Sequence, residues 1–308
     1  MFFSRKEVMA KAAKNQSDVL FDEDFLKKLE YLFIVSKKVF AGQLRAERRG
    51  RKVGSGIEFA DHRDYAPGDD FRYIDWNIYG RMKNLLLRLF EEEEDLTIYL
   101  LLDASKSMMM GSPPKFDYAH RVVAALAYIG LANLDRVNII PFADGLKPPL
   151  TPKRGKGQVF RVFEFLRASR AGGETDIEAS FRNFVHQTRR KGLVAVVSDF
   201  FDPHGYERGL KLLRHHHFET FAVMVCDPGE AKPNVKGDLR LLDTETGEER
   251  IATVSPAVLR SYEKAFEDYC EHLENFCTSI QAGFIRTLTS VPFEELVLQV
   301  FRHGKFLK

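Results

Sequence analysis

Residues 96–111 read LTIYLLLDASKSMMMG, and the rest of the chain is read outward from them. Six of the seven residues from Leu96 to Leu102 are apolar or aromatic, and a polar cluster follows at once. A short apolar run that ends in a turn signal predicts a buried strand of a parallel sheet. Ligands of open α/β sheets sit just beyond the carboxyl ends of such strands. Asp103, Ser105 and Ser107 fall there, one carboxylate and two hydroxyls on alternate residues. Hard cations take oxygen ligands, so the three could face a single ion.

Two later stretches add to this. Residues 172–177 read GGETDI, a glycine-rich loop predicted to run into a helix, and residues 193–199 read LVAVVSD, a second buried strand ending in a carboxylate. In order and spacing, Asp103, Ser105, Ser107, Thr175 and Asp199 resemble the metal-ion-dependent adhesion site of von Willebrand factor A-like domains. The resemblance implies that these five hold Mg²⁺ directly or through water, with one metal position open to a partner's carboxylate. Mn²⁺ and Ca²⁺ are the alternative ions.

The physics agrees without the family. Mg²⁺ wants six oxygens, keeps several waters, and is usually held by one or two carboxylates plus an outside anion. Two aspartates would neutralise it, while neutral hydroxyls add oxygens without further charge, leaving it electrophilic toward an incoming Asp or Glu. The residues alone also allow a plainer reading, in which Ser105 and Ser107 cap the next helix and Thr175 caps the one after.

The chain has 308 residues, enough for one large domain or two modest ones. Hydrophobic residues at 44% and charged residues at 29% are ordinary for a globular protein, and a net charge of +2 gives no argument for a nucleic-acid partner. Cys226, Cys270 and Cys277 lack metal-ligand spacing and cannot all pair within the chain, which fits a reducing compartment. The first residues lack the apolar core of a signal peptide, and the longest nearly apolar stretch, Val122 to Leu134, is too short to span a bilayer. A cytoplasmic protein with no membrane span is expected.

Residues 1–20 are polar and read as a frayed start. Asp22 to Leu44 carries Phe25, Leu29, Leu32, Phe33, Val35 and Val39 near a 3.6 period, an amphipathic helix expected to pack on the main domain. Arg45 to Lys52 (RAERRGRK) reads as a solvated linker, and the acidic run Glu91 to Asp95 as a solvated surface at the wrong end of its strand to ligate a metal. Between them, Ala66-Pro67-Gly68-Asp69 has the order of a type II turn. Arg63, Asp64, Asp69, Asp70, Arg72 and Asp75 are placed to form an ion-pair network around Trp76, the only tryptophan. His62-Arg63-Asp64 looks like a kinase catalytic-loop fragment, but no glycine-rich phosphate loop or suitably spaced Asn accompanies it.

GSGIEF, then DHRDYAPGDDFRYIDWN, then LLLRLFEEEEDLTIYLLLDASKSM are similar to a bacterial domain-of-unknown-function family, number fifty-eight. Its members join this aspartate-rich signature to a von Willebrand A-like domain and are commonly encoded beside MoxR-type AAA+ ATPases. The likeness runs from about Phe25 onward. It implies a fold and a partner, not a reaction.

After the serine motif, helices are expected over 115–133, 158–167 and 176–191, with another opened by Asp202-Pro203. A long one is capped by Ser255 with Pro256 at its first turn, and a last one starts at Pro292. Strands are expected over 136–142, 218–226 and 282–289, and a hairpin around Thr246-Gly247. His215, His216 and His217 are adjacent, and neighbours on a helix point apart, so a shared metal is not expected there.

Alternation of strands and helices over 96–302 means an α/β fold, a mostly parallel sheet covered on both faces. The division expected is 1–90, a helix and a β-rich extension, and 91–308, the von Willebrand factor A-like domain. The leading function is a metal-dependent, non-enzymatic adaptor. Asp103, Ser105, Ser107, Thr175 and Asp199 would bridge through Mg²⁺ to a MoxR-type AAA+ ATPase or its client. Arg63, Asp69, Asp70, Arg72, Asp75 and Trp76 offer a second docking face. The alternatives are a metal-dependent phosphohydrolase with Asp103 as nucleophile, and a scaffold with an empty site. Haloacid-dehalogenase-like phosphatases carry a second Asp two residues on, where this chain has Ser105.

Overall fold

The computed structural model describes residues 20–47, 49–53, 58–93, 97–244 and 247–303. The frayed start expected over 1–20, apart from Leu20, lies outside them, as do Gly54 to Ile57 of the signature, the end of the acidic run and the turn position Thr246.

Two compact units emerge: the described residues of Met1–Ser36 with Leu96–Phe306, and those of Lys37–Asp95. The larger therefore includes the start of helix α1 (Glu23–Glu47), which a division at residue 90 assigns to the extension. Phe25, Leu29, Leu32 and Phe33 are buried, and the Phe25 ring meets Phe163 and Phe293 with centroids 5.9 and 4.9 Å away. Burial of that stripe is what makes the helix part of the larger core.

The smaller unit is a three-stranded antiparallel sheet in the order β1-β3-β2, from β1 (Arg49–Val53), β2 (Glu58–Asp64) and β3 (Leu86–Glu93), with helix α2 (Trp76–Met82). The basic run is thus not a linker. Its residues from Arg49 form β1, in antiparallel register with β3, Arg49 with Glu93 and Arg51 with Glu91. Gly68, with φ of +107°, and the bond from Asp69 N to Ala66 O at 3.0 Å make the expected type II turn.

The acidic residues here form separate local contacts rather than one network. Arg63 pairs with Asp69 at 2.6 Å and Arg72 with Asp70 at 2.6 Å. Asp75 meets Arg88 at 3.1 Å and His62 at 3.2 Å. Those guanidinium neighbours help hold the Asp69 and Asp70 carboxyls below their usual range, after the Ala66 backbone bond for Asp69 and with the Arg72 side chain leading for Asp70. Asp75 also caps α2, accepting from Asn77 N and Ile78 N. Asp75→Ala should cost about 1–2 kcal/mol of stability in urea unfolding, the usual loss for an N-cap, and Asp75→Asn should recover most of it.

The larger unit is built on β4 (Thr97–Asp103), β5 (Arg136–Phe142), β6 (Leu193–Ser198), β7 (Glu219–Cys226) and β10 (Gly283–Leu288). They form one sheet in the order β10-β7-β6-β4-β5, and all four pairings are parallel. Every residue of β4 is buried, as a central strand covered on both faces requires.

Alternation along the strands sorts the core into two layers. Tyr99, Leu101, Val194 and Val196 join the layer that contains residues of α5 (Ile177–Gln187), α6 (Glu207–His215) and α8 (Pro256–Ser279). On the other face, α3 (Lys115–Ala132) lies along the sheet with α4 (Val159–Ala168) and α9 (Phe293–His303) beside it. A short α7 (Pro228–Ala231) follows β7, and β8 (Gly237–Leu242) pairs with β9 (Glu249–Val254) as the expected hairpin.

Asp202 does not open a helix. Its buried carboxylate accepts from Ile177 N at 2.7 Å, a turn follows to Gly205, and α6 begins only at Glu207.

Candidate functional site

The site grows from β4. Registry of Leu102 with Val197 puts the two carboxyl ends level, so that Asp103 and Asp199 leave adjacent strands side by side. Both are fully buried. Asp103 Oδ1 accepts from Ser105 N at 2.9 Å. Its Oδ2 accepts from Ser198 Oγ at 2.5 Å, and that hydroxyl in turn accepts from Phe200 N at 2.8 Å. Phe200 is buried in the left-handed region, φ +60°, and this reverses the chain directly after Asp199.

The hydroxyls lie beside the carboxylate. Ser105 Oγ and Ser107 Oγ are 3.0 Å apart and buried. Neither caps the next helix: α3 begins after Pro114, with no side-chain cap. Nor does Thr175 cap α5, since that bond comes from Asp176, which accepts from Ala179 N at 2.7 Å. The capping alternative is therefore overturned for all three.

Backbone bonds bring the Thr175 loop to the same place. Gly172 N donates to Ala104 O at 2.7 Å and Lys106 N to Gly173 O at 3.2 Å. Gly173, at φ +98°, takes a conformation that a side chain would strain. Asp202 ties the far side of this loop to the Asp199 turn through Ile177 N. Thr175 sits between these anchors, 2% exposed. All five residues expected from the sequence thus come from three loops stitched together at one end of the sheet.

The electrostatics are uneven. Burial, then the nearby charge of Asp199, pushes the Asp103 carboxyl up to about 7, against the hydrogen bonds from Ser198 and Ser105. Asp199 has a direct ion-pair partner, whereas Asp103 has only the Lys147 ammonium in its neighbourhood, bonded to Ala104 O at 3.1 Å. Lys115, fully buried, donates from Nζ to Asp199 Oδ2 at 2.7 Å and also to Glu230. Burial alone would lower the Lys115 pKa, but Asp199 and Glu230 outweigh it and raise it.

Lys115, Glu230 and Ser198 were not among the expected site residues. One signal was legible for the lysine: a cation in the first turn of a helix opposes the helix dipole and calls for a local anion. The aspartate-rich residues occupy the smaller unit, where Trp76 is 57% exposed with its ring against Tyr79 at 6.0 Å.

The donor set fits a small hard cation. Hydroxyl and carboxylate oxygens are the donors such an ion takes, and the Ser105 and Ser107 hydroxyls are hydrogen-bonded to each other at 3.0 Å. The set is of hydroxyls and carboxylates, and among the described residues no three His, Cys, Asp or Glu side chains converge to hold a metal, the histidine run included.

A family model described as "Protein of unknown function DUF58" matches residues 61–271. The chain belongs to the DUF58 family. The uncharacterized protein Rv1480 of Mycobacterium tuberculosis is 27% identical to this DUF58 chain over 243 residues, 77% of this chain and 76% of that protein. The uncharacterized protein MAV169 of Mycobacterium avium is 34% identical over 77 residues, 25% of this chain and 45% of its own length. Among solved structures, the conserved hypothetical protein BatB from Bacteroides thetaiotaomicron is 14% identical, with 68% of this chain and 96% of that one covered and a TM-score of 0.43. The SpRpn10 VWA domain is 11% identical, with 66% and 93% covered and a TM-score of 0.38. The DUF58 chain has the α/β fold expected of it, with β4 inside a parallel sheet between helical layers. No helix among the described residues is long and apolar enough to cross a membrane.

Proposed function

We propose that this DUF58 protein is a non-enzymatic protein-binding adaptor whose contact runs through a divalent cation, Mg²⁺ with Mn²⁺ or Ca²⁺ as substitutes. The observation that carries the reading is the gathering of five buried oxygen-bearing side chains, Asp103, Ser105, Ser107, Thr175 and Asp199, on loops bonded to one another at one end of the sheet, with the Ser105 and Ser107 hydroxyls hydrogen-bonded at 3.0 Å. Ser105, Ser107 and Thr175 would supply neutral oxygens, and Asp103 and Asp199 the negative charge. Such an ion would attract a carboxylate from outside, so the partner presents an exposed Asp or Glu.

The family resemblance supplies the partner's identity, a MoxR-type AAA+ ATPase or the client it remodels, in the cytoplasm. The smaller unit adds a candidate second face. Phe71, Trp76 and Met82 of that unit are 67%, 57% and 71% exposed.

Phosphohydrolase chemistry is the weaker reading. Asp103 has both oxygens engaged and no exposed surface, a poor start for a nucleophile that must meet a phosphate ester.

The test is capture of a purified MoxR-type ATPase by wild type and Asp103→Ala, each with Mg²⁺ and with EDTA. Retention by wild type in Mg²⁺ alone, with at least a tenfold drop in the other three arms, is the expected result. Equal retention in all four would move the interface to the Trp76 face.

A further inference from the structure

The larger unit already holds a cation inside the site, and it is part of the chain. Lys115 opens α3 directly after Pro114, and its side chain has no exposed surface. Its ammonium donates to Asp199 Oδ2 at 2.7 Å and to Glu230 Oε1, and lies 5.3 Å from the centre of the Phe201 ring. Glu230 is itself fixed: its other oxygen accepts from Asp227 N at 2.9 Å, closing a capping box on α7. Asp199 Oδ1 is taken by Phe201 N at 3.1 Å. The second aspartate of the motif is therefore committed to donors from its own chain on both oxygens, one of them charged.

Counting charge gives the two aspartates different tasks. Asp103, Asp199 and Glu230 carry three negative charges when ionised, and Lys115 returns one positive. Lys115 is shared between Asp199 and Glu230, whereas Asp103 has no ion pair of its own and only the Lys147 ammonium nearby, held on Ala104 O at 3.1 Å and Gly172 O at 2.9 Å.

We propose that Lys115 is a resident counter-ion that competes with divalent metal for Asp199, keeping the site weak for free cation and dependent on a partner's carboxylate to complete it. The inference rests on the divalent-site reading for the ion it competes with, and it assigns Lys115 a positioning role beyond that reading. Taking away the ammonium would leave Asp199 buried, and Glu230 half-buried, without a counter-ion, a penalty that a divalent ion could relieve. Cation affinity in oxygen sites rises with the ligand charge available, so the change reads out as tighter metal binding.

The experiment compares the full chain as wild type and Lys115→Met, each stripped with EDTA and then titrated with Mn²⁺ and Mg²⁺, following the melting temperature. Lys115→Met is expected to melt lower without metal. It should then recover with a half-effect concentration about tenfold below that of wild type, a response that loss of packing alone would not produce. If Lys115→Met does not fold without metal, Lys115→Met/Glu230→Gln, which leaves one uncompensated carboxylate instead of two, carries the same comparison. A wild type that responds to metal beside variants with an unchanged half-effect overturns the role of Lys115 and leaves the divalent site standing. A silent wild type beside a responsive variant supports the counter-ion and removes the divalent site from the native chain. Silence from both overturns both.

Discussion

Acidification from pH 6.5 toward 3 should take up to about 5 kcal/mol of stability through one side chain, His120. Its ring is 3% exposed in α3, 4.0 Å from the Phe116 ring centre, and Nε2 has no hydrogen-bond partner. Burial, and to a lesser degree the charge of Arg170, lowers its pKa from 6.5 to about 3. The sign follows from proton uptake. Above pH 6.5 the ring is neutral in both folded and unfolded chains. Below it the unfolded chain gains a proton that the folded chain refuses until about pH 3, so the folded state loses ground throughout that window.

Asp103 acts in the opposite direction in the metal-free chain. With its folded pKa near 7, the folded state takes up a proton first as pH falls, and gains. The informative quantity is therefore the difference between wild type and His120→Leu in urea unfolding at pH 7.5, 5.5 and 4.5. The variant should gain on the wild type steadily as pH falls. Parallel curves would mean that His120 protonates inside the fold without cost.

A second large effect is expected at Gly192. A methyl group there would stand 2.1 Å from the carbonyl oxygen of Thr97, a backbone atom that cannot turn aside. Gly192 precedes β6 where Leu193 is registered with Ile98 of β4 and with Glu219 of β7. Gly192→Ala must push the two most buried strands apart at their start, at a cost of about 3 kcal/mol. Asp103 lies at the other end of β4, about 20 Å away at the usual rise per residue. The variant should melt well below wild type and yet titrate with Mn²⁺ at the same half-effect concentration. A loss under about 1 kcal/mol would show that these strand starts separate freely.

The fold was legible because its signals are local. β4 and β6 are unbroken apolar runs ending in Asp103 and Ser198-Asp199, and α8 carries its Ser255 cap and Pro256 in sequence. That Asp103, Ser105, Ser107, Thr175 and Asp199 would lie at one end of the sheet was legible for the same reason, each following a strand end or sitting in a glycine loop. Long-range events were not. The partners of Lys115 come from residues 84 and 115 positions away, and the bond from Ser198 to Asp103 spans 95. The pairing of β1 with β3 is likewise invisible until registry is fixed, so the basic run reads as a linker. Asp202 misled because an Asp-Pro pair is a helix-start signal. Here its carboxylate serves the N-terminus of a different helix, α5.

A sheet ordered β10-β7-β6-β4-β5 can be assembled in the order of its synthesis. β4 emerges first and takes β5 on one side. β6, β7 and β10 then arrive in turn on the other, each beside a strand already in place. No strand has to be inserted between two earlier ones, so the nascent chain need not hold a gap open while it waits. The segments that carry Asp103, Thr175 and Asp199 are all made before β7 and β10. The loops that carry these residues can therefore gather on three neighbouring strands, β5, β4 and β6, while the outer edge is still being translated.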